Sequence, residues 1–338
     1  MPSHAPRNHA ATDSPRTRVG AGSRPGRGRG LRMGGGPGAG GGPRRVGRLL
    51  GAGFAAVALL ATSACSSSGN DSGGDKVSVV ASTNVWGDVV AQVGGDLVEV
   101  TSIVDDPSAD PHSYEASART QLAISRAGLV VANGGGYDDF VDTMVAALDE
   151  PPVVLHAVDL AATGEENEHV WYSLPAVTAV ADEVAAELGA LDPANAATYT
   201  DNAVAFGARI DGLLEQVSDV RGAVEGRPVA ITEPVPAYLL ADLGLEDVTP
   251  AEFSEAIEEE TDVPPAVLAE TLALFADGRA DALVYNEQTT GPQTEQVLAE
   301  ARAADVPVVP VRETLPPGVD YIEWMASTID AIREALAA

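Results

Sequence analysis

The sequence predicts an α/β fold of two lobes, each a parallel sheet with flanking helices, joined by one long helix. Three observations carry that prediction. Short β-branched runs alternate with amphipathic stretches from residue 76 onward, which is the pattern of parallel strands covered by helices. The same alternation starts again after residue 227. Between the two series lies one long stretch with a helical apolar stripe.

Taken in order, "VSVVAS" (77–82) predicts a buried strand, "NVWGDVVAQVG" (84–94) a helix stopped by Gly94, and "LVEVTSIV" (97–104) the next strand. The loop carrying "ADPHSYEASART" (109–120) leads into a helix to about Ala127, with Gly128 as its stop. "LVVAN" (129–133), "YDDFVDTMVAAL" (137–148) and "PVVLHAV" (152–158) predict strand, helix and strand. In the second series the strands are "PVAIT" (228–232), "LEDVTP" (245–250), "DALVYN" (281–286) and "VPVVPV" (306–311). Helices fit at about 236–243, 265–277, 292–304 and 319–336. The long stretch runs from Pro193 to about Val224, where Phe206, Ile210, Leu213, Val217, Val220 and Val224 recur at spacings of 4, 3, 4, 3 and 4. Pro193 suits its first turn, with Asp192 as the cap. The expected divisions are a leader (1–64), a tether (65–75), an N-terminal lobe (76–190), the linking helix (191–226) and a C-terminal lobe (227–338).

The leader holds ten arginines and one acid, Asp13. The basic "PRRVGR" precedes the apolar "LLGAGFAAVALLATSAC" (49–65), which reads as an export signal. The apolar run from 49 to 64 is short for a membrane span. Met33 is a second candidate start beside Met1. Cys65 is the only cysteine, so no intramolecular disulfide forms. Its place before the flexible "SSSGNDSGGD" resembles a bacterial lipoprotein signal, in which this cysteine becomes the lipidated N-terminus. The alternative is a plain secretory signal with an incidental cysteine.

Without the leader, 10 Lys+Arg face 49 Asp+Glu, a net charge of −39 against −30 for the whole chain. That balance excludes nucleic-acid binding, which needs a basic footprint. It suits a cationic ligand, although an acid-rich surface by itself accounts for most of these residues.

Five histidines exist, and His4 and His9 lie in the leader. Imidazole chemistry therefore rests on His112, His156 and His169. His112 follows a strand and precedes a helix, at the strand end where parallel sheets bind ligands. His169 lies in the polar loop of "EENEHVWYSLP", also before a helix. His156 is inside an apolar run and reads as a packing or surface histidine. In the second series, Glu233 follows "PVAIT" and Glu313 follows "VPVVPV". Two imidazoles and two carboxylates at strand ends would suit a four-donor metal site for zinc, tolerated by manganese; taken singly, each glutamate reads as solvated and His112 equally as a turn-stabilising histidine.

"DPHSYEAS", "HVWYSLP", "TEPVPAYLLADLGL" and "VRETLPPGVDYIEWM" occur in that order. Together they resemble the metal-binding lipoproteins of zinc and manganese ABC importers, the ZnuA/TroA-like group, over residues 76 to 338. The resemblance implies two lobes joined by a rigid helix, with the metal in the cleft. It implies His112 and His169 as the first two ligands and Glu233 as the third, a place held by histidine in many zinc members. Glu313 fits the fourth, with Asp320 and Glu287 as alternative acids. The implied function is capture of Zn²⁺, or Mn²⁺, by a monomer without catalysis. The ion is delivered to an ABC importer permease at the outer face of the cell membrane, where a lipid on Cys65 anchors the protein. A secreted metal-dependent hydrolase is the rival from another class. It needs an open coordination position and a general base, and no HExxH motif is present. An organic solute would want an aromatic-lined pocket, against only 4% aromatics.

Other features have plainer readings. "ATGEENE" has acids but lacks the added histidines of a metal-scavenging loop. "VVANGGGYDDF" imitates a phosphate loop, yet Asp139 stands where the third glycine belongs, so these are turn glycines. Glu258, Glu259 and Glu260 read as a solvated loop, with importer contact as the alternative. Trp86, Trp171 and Trp324 read as packing residues, Trp171 walling the cleft. Asp110 and Glu115 read as helix-start or outer residues rather than ligands.

Overall fold

The computed structural model describes residues 76–106, 114, 116–161, 163 and 167–337. The leader with Cys65, and the loop residues Asp110, His112 and Glu115, lie outside them. The first sheet is built from β1 (Val77–Thr83), β2 (Val98–Val104), β3 (Leu129–Ala132) and β4 (Val153–His156), all parallel, in the order β2-β1-β3-β4. Helices α1 (Asn84–Gly94), α2 (Ala118–Ile124) and α3 (Phe140–Val145) connect them. Strand alternation sends Val79, Ala81, Leu129 and Val131 to one core, and Val80, Val130 and Ala132 to another with Ile124, Val141 and Met144. Both faces of the sheet are thus buried, which is why its strands read as unbroken apolar runs.

After α4 (Ala157–Ala161) and a short 3₁₀ turn (Val170–Tyr172) come two long helices, α5 (Leu174–Leu191) and α6 (Ala196–Val224). The second sheet repeats the first. β5 (Pro228–Ile231), β6 (Glu246–Asp247), β7 (Ala282–Asn286) and β8 (Val308–Val311) run parallel in the order β6-β5-β7-β8. Its helices are α7 (Ala237–Asp242), α8 (Ala251–Glu258), α9 (Pro265–Ala276), α10 (Pro292–Ala303) and α11 (Tyr321–Leu336). In each sheet the strand order reverses beside the first strand, so the carboxyl ends of β1 and β3, and of β5 and β7, flank a ligand crevice.

The apolar stripe of α6 is buried as the spacing requires, and Tyr199 and Ala203 extend it. The helix begins at Ala196, not at Pro193. Asp192 instead ends α5, and its carboxylate accepts from Asn195 Nδ2 (2.6 Å) and Tyr199 Oη (3.0 Å). Asp192 and Pro193 form the turn between two helices, because those bonds hold the chain out of helical geometry. The strand expected over 245–250 is only two residues long. The Asp247 carboxylate turns back to accept from Thr249 N (2.9 Å) and so ends the ladder.

Inner faces of both sheets share one core. Val79 and Leu129 belong to the same cluster as Phe206, Ile231, Val284 and Trp324. Polar bonds also stitch the first-sheet side to the last segment of the chain. Asn84 Nδ2 donates to the Leu315 carbonyl (3.0 Å), and Leu315 N donates to Asn84 Oδ1 (2.8 Å). Tyr172 Oη donates to the Arg312 carbonyl (2.8 Å), and Tyr321 Oη to that of Trp171 (2.6 Å). Asp88 accepts from Tyr321 N at 3.0 Å.

Burial pushes the Asp88 carboxyl above its ordinary range, outweighing the Tyr321 bond that lowers it, and neighbouring Asp320 adds to the rise. A carboxyl whose folded pKa is raised loses stability as pH climbs through that value. Asp88→Asn keeps an acceptor for Tyr321 N and removes this penalty. It is therefore expected to gain stability relative to the native chain between pH 4 and pH 7 in urea unfolding. An equal difference at both pH values would contradict the sign.

Candidate metal centre

His169 stands just before the 3₁₀ turn and is fully buried. Asn167, two residues earlier, sets its chemistry. Asn167 Nδ2 donates to the Pro234 carbonyl (3.0 Å), which can only accept, so Oδ1 is the atom facing His169. That oxygen accepts from His169 N (3.0 Å) and meets Nδ1 at 2.7 Å. Nδ1 must therefore carry a proton, and in the neutral ring Nε2 is the basic nitrogen. Nε2 lies 3.6 Å from Glu258 Oε1 and 3.9 Å from Glu313 Oε2. Two donors bound at about 2.1 Å to one tetrahedral ion are about 3.4 Å apart, so both separations approach those of ligands on a shared ion.

Glu313 follows β8 and is fully buried. Its Oε1 accepts from Asn286 Nδ2 (2.8 Å) and its Oε2 from Tyr137 Oη (3.0 Å). Gln288 Oε1 accepts from the backbone N–H groups of Glu313 (2.7 Å) and Thr314 (3.1 Å), which fixes the segment. Burial pushes the Tyr137 phenol well above its usual range, and the charges of Glu313, Asp138 and Glu258 push it further. It stays a donor. The loop that delivers Tyr137 explains its three glycines: Gly134, Gly135 and Gly136 have φ of 78°, 72° and 102°, where side chains are strained. Asp138 closes the loop by accepting from Asn133 N (2.6 Å) and Gly134 N (2.8 Å). These are turn glycines, and helix α3 starts only at Phe140.

Glu233, next after Thr232 at the end of β5, is 1% exposed. Its neighbour Pro234 is the residue tied to Asn167. Of the four expected ligands, the fold thus brings His169 and Glu313 together and buries Glu233 at the adjoining strand end. His112 lies outside the described residues. The alternative acids are otherwise engaged. Asp320 caps α11 through Glu323 N (2.8 Å) and pairs with Arg209 (2.6 Å), and Glu287 pairs with Arg312 (3.1 Å). His156 is a strand histidine paired with Asp142 at 2.9 Å. Trp171 packs edge-on to His169 and Tyr137, with ring centroids at 5.1 and 5.0 Å, and walls the site.

Glu258 corrects the sequence reading. It is not in a solvated loop but ends α8, with a side chain 13% exposed; Glu259 and Glu260 beside it are exposed. The signal lay in "AEFSEAIE", whose Phe253, Ala256 and Ile257 bury one face of a helix and carry Glu258 inward with them. Asn167, Tyr137 and Asn286 were also missed. An imidazole and three carboxylates drawn from burial are costly unless a cation compensates them, and a divalent ion does so with the donor types present.

Asn84 holds the segment just after Glu313 by both of its amide atoms. Asn84→Ala is expected to destabilise the metal-free protein by about 1–3 kcal/mol, read from urea unfolding. An unchanged midpoint would mean that these bonds contribute nothing net.

The family described as "Zinc-uptake complex component A periplasmic" matches residues 79–335. The chain belongs to that family. It is a family of substrate-binding proteins of metal ABC transporters. One relative is the iron ABC transporter substrate-binding lipoprotein MtsA of Streptococcus pyogenes serotype M1, 25% identical over 326 residues, covering 87% of this chain and 99% of MtsA. The manganese ABC transporter substrate-binding lipoprotein ScaA of Streptococcus gordonii is 24% identical over 316 residues, 83% of this chain and 96% of ScaA. The solved structure of FpvC from Pseudomonas aeruginosa with Ni²⁺ superposes with a TM-score of 0.63 at 25% identity, over 78% of this chain and 97% of FpvC. A crystal structure of ZnuA superposes at 0.65 with 20% identity, over 78% of this chain and 99% of ZnuA, a likeness of fold. The two four-stranded parallel sheets with flanking helices are the two-lobe fold of this zinc-uptake family.

Proposed function

We propose that the protein captures one divalent transition-metal ion outside the cytoplasm, Zn²⁺ in first place, and hands it to the membrane permease of an ABC importer. His112, His169, Glu233 and Glu313 are the proposed ligands. The observation that carries this is the buried Nε2 of His169, oriented by Asn167 toward the carboxylates of Glu313 and Glu258. Four protein donors on one tetrahedral ion would leave little room for a reacting water, which supports binding and release without turnover. It acts as a monomer, anchored at the outer face of the cell membrane through a lipid on Cys65.

Mn²⁺ is the second reading, favoured by the share of carboxylates among the donors. The family description names zinc, while one relative is named for manganese and another for iron. Elemental analysis of the purified protein, followed by Zn²⁺ and Mn²⁺ titration against a chromophoric chelator, separates them. Zn²⁺ is expected to displace Mn²⁺, as the order of divalent affinities requires. Retention of Mn²⁺ against equimolar Zn²⁺ would make manganese the cargo.

A further inference from the structure

We propose that Glu258 is a further donor at this site, the exchangeable carboxylate through which the ion enters and leaves. The inference rests on the metal-capture reading and assigns a role to a residue outside its four ligands. Position is the first ground. Glu258 Oε1 is 3.6 Å from His169 Nε2, nearer than the Glu313 oxygen at 3.9 Å. Donor atoms of Glu168, His169 and Glu258 all lie within 4.8 Å of one another. Glu258 and Glu313 thus approach the same imidazole nitrogen, the one that an ion would bind.

Accessibility is the second ground. The Glu258 side chain is 13% exposed, whereas those of His169 and Glu313 are 0% exposed and Glu233 is 1% exposed as a residue. Of these four described donors, a hydrated ion meets Glu258 first, exchanges a water for its carboxylate oxygen, and then passes to the buried ones. Anchorage is the third ground. Glu313 is fixed by Asn286 and Tyr137 and by Gln288 through its backbone. Glu258 ends a helix of eight residues, followed by exposed Glu259 and by Glu260 at φ 51°. Beside that turn is an open cavity of about 330 Å³, lined by Ile257, Glu260, Thr261, Gln288 and Thr294 among others. This leaves room for the helix end to shift while Glu313 stays put.

Electrostatics adds a fourth ground. A carboxylate at a helix C-terminus meets the negative end of the dipole, and Glu258 also faces Glu313 across His169. Its position becomes favourable when a cation lies between them.

The test uses metal-stripped protein, Glu258→Gln, the conservative Glu258→Asp, and Glu259→Gln as an exposed neighbour. Zn²⁺ affinity and chelator-chased Zn²⁺ release are measured, together with the visible spectrum of the Co²⁺ form, which reports coordination number and donor set. Glu258→Gln is expected to keep one ion per chain, to bind about 10–100-fold more weakly, to release faster, and to change the Co²⁺ spectrum. Glu258→Asp should move in the same direction by a smaller factor, and Glu259→Gln should match the native chain. Native affinity, release and Co²⁺ spectrum in Glu258→Gln would overturn the role of Glu258 while leaving metal capture intact. If the native chain takes up no metal, the capture reading falls and this inference with it.

Discussion

His169→Ala is expected to abolish stoichiometric uptake of Zn²⁺ and Mn²⁺. The substitution removes the only described imidazole among the buried carboxylates and leaves Glu258 and Glu313 facing a void. Loss of a buried, fixed donor should cost more than the ~10–100-fold typical of outer partners and expected for the exchangeable Glu258, so no ion should survive chelator competition. His112→Ala is expected to behave alike. His156→Ala supplies the contrast, because that histidine sits on β4 paired with Asp142. It should bind metal as the native chain does. If His169→Ala retained native affinity, the proposed site would be in the wrong place.

Glu313 separates binding from folding. Glu313→Ala takes one buried acceptor from the Tyr137 hydroxyl and one from the Asn286 amide, each loss costing about 1–3 kcal/mol, and opens a cavity besides. A loss on the order of 3–5 kcal/mol is expected, enough to outweigh any relief of repulsion with Glu258. Glu313→Gln retains an acceptor for Asn286 and should stay within about 1 kcal/mol of the native metal-free chain. Both variants should lose the stabilisation that metal confers. For the native protein at about 1,000 times Kd that stabilisation is about 4 kcal/mol, or a rise of about 8–16 °C in Tm. Calorimetry with and without Zn²⁺ reads both quantities. A Glu313→Gln variant whose Tm still rises with Zn²⁺ as in the native chain would remove Glu313 from the site.

Much of this fold was legible because its strands are buried on two faces. A run such as "VSVVAS" has few other places to go than the middle of a covered sheet, and its helices keep the 3.6-residue stripe. The strand ends were legible for the same reason: Glu233 and Glu313 stand where an apolar run gives way to a turn, so topology alone brings them near a crevice. What stayed hidden depends on backbone bonds that leave little pattern. Asp192 reads in sequence as a helix cap, but its carboxylate serves Asn195 and Tyr199 in a turn. Tyr137 reads as the first residue of a helix until three left-handed glycines turn it toward Glu313. Glu258 was lost in a run of three acids, because only the burial of Phe253 and Ile257 distinguishes it from its neighbours. Asn167 is an ordinary loop residue in sequence, and its orienting role exists only once Pro234 of the second lobe takes its amide.

The central claim is that buried donors of both lobes converge on one divalent ion. Isothermal titration of chelator-stripped native protein with Zn²⁺ tests it most directly, with His169→Ala titrated in parallel. The expected result is one ion per chain for the native protein and no saturable binding for the variant. Absence of saturable uptake by the native chain, or equal uptake by the two, would contradict it.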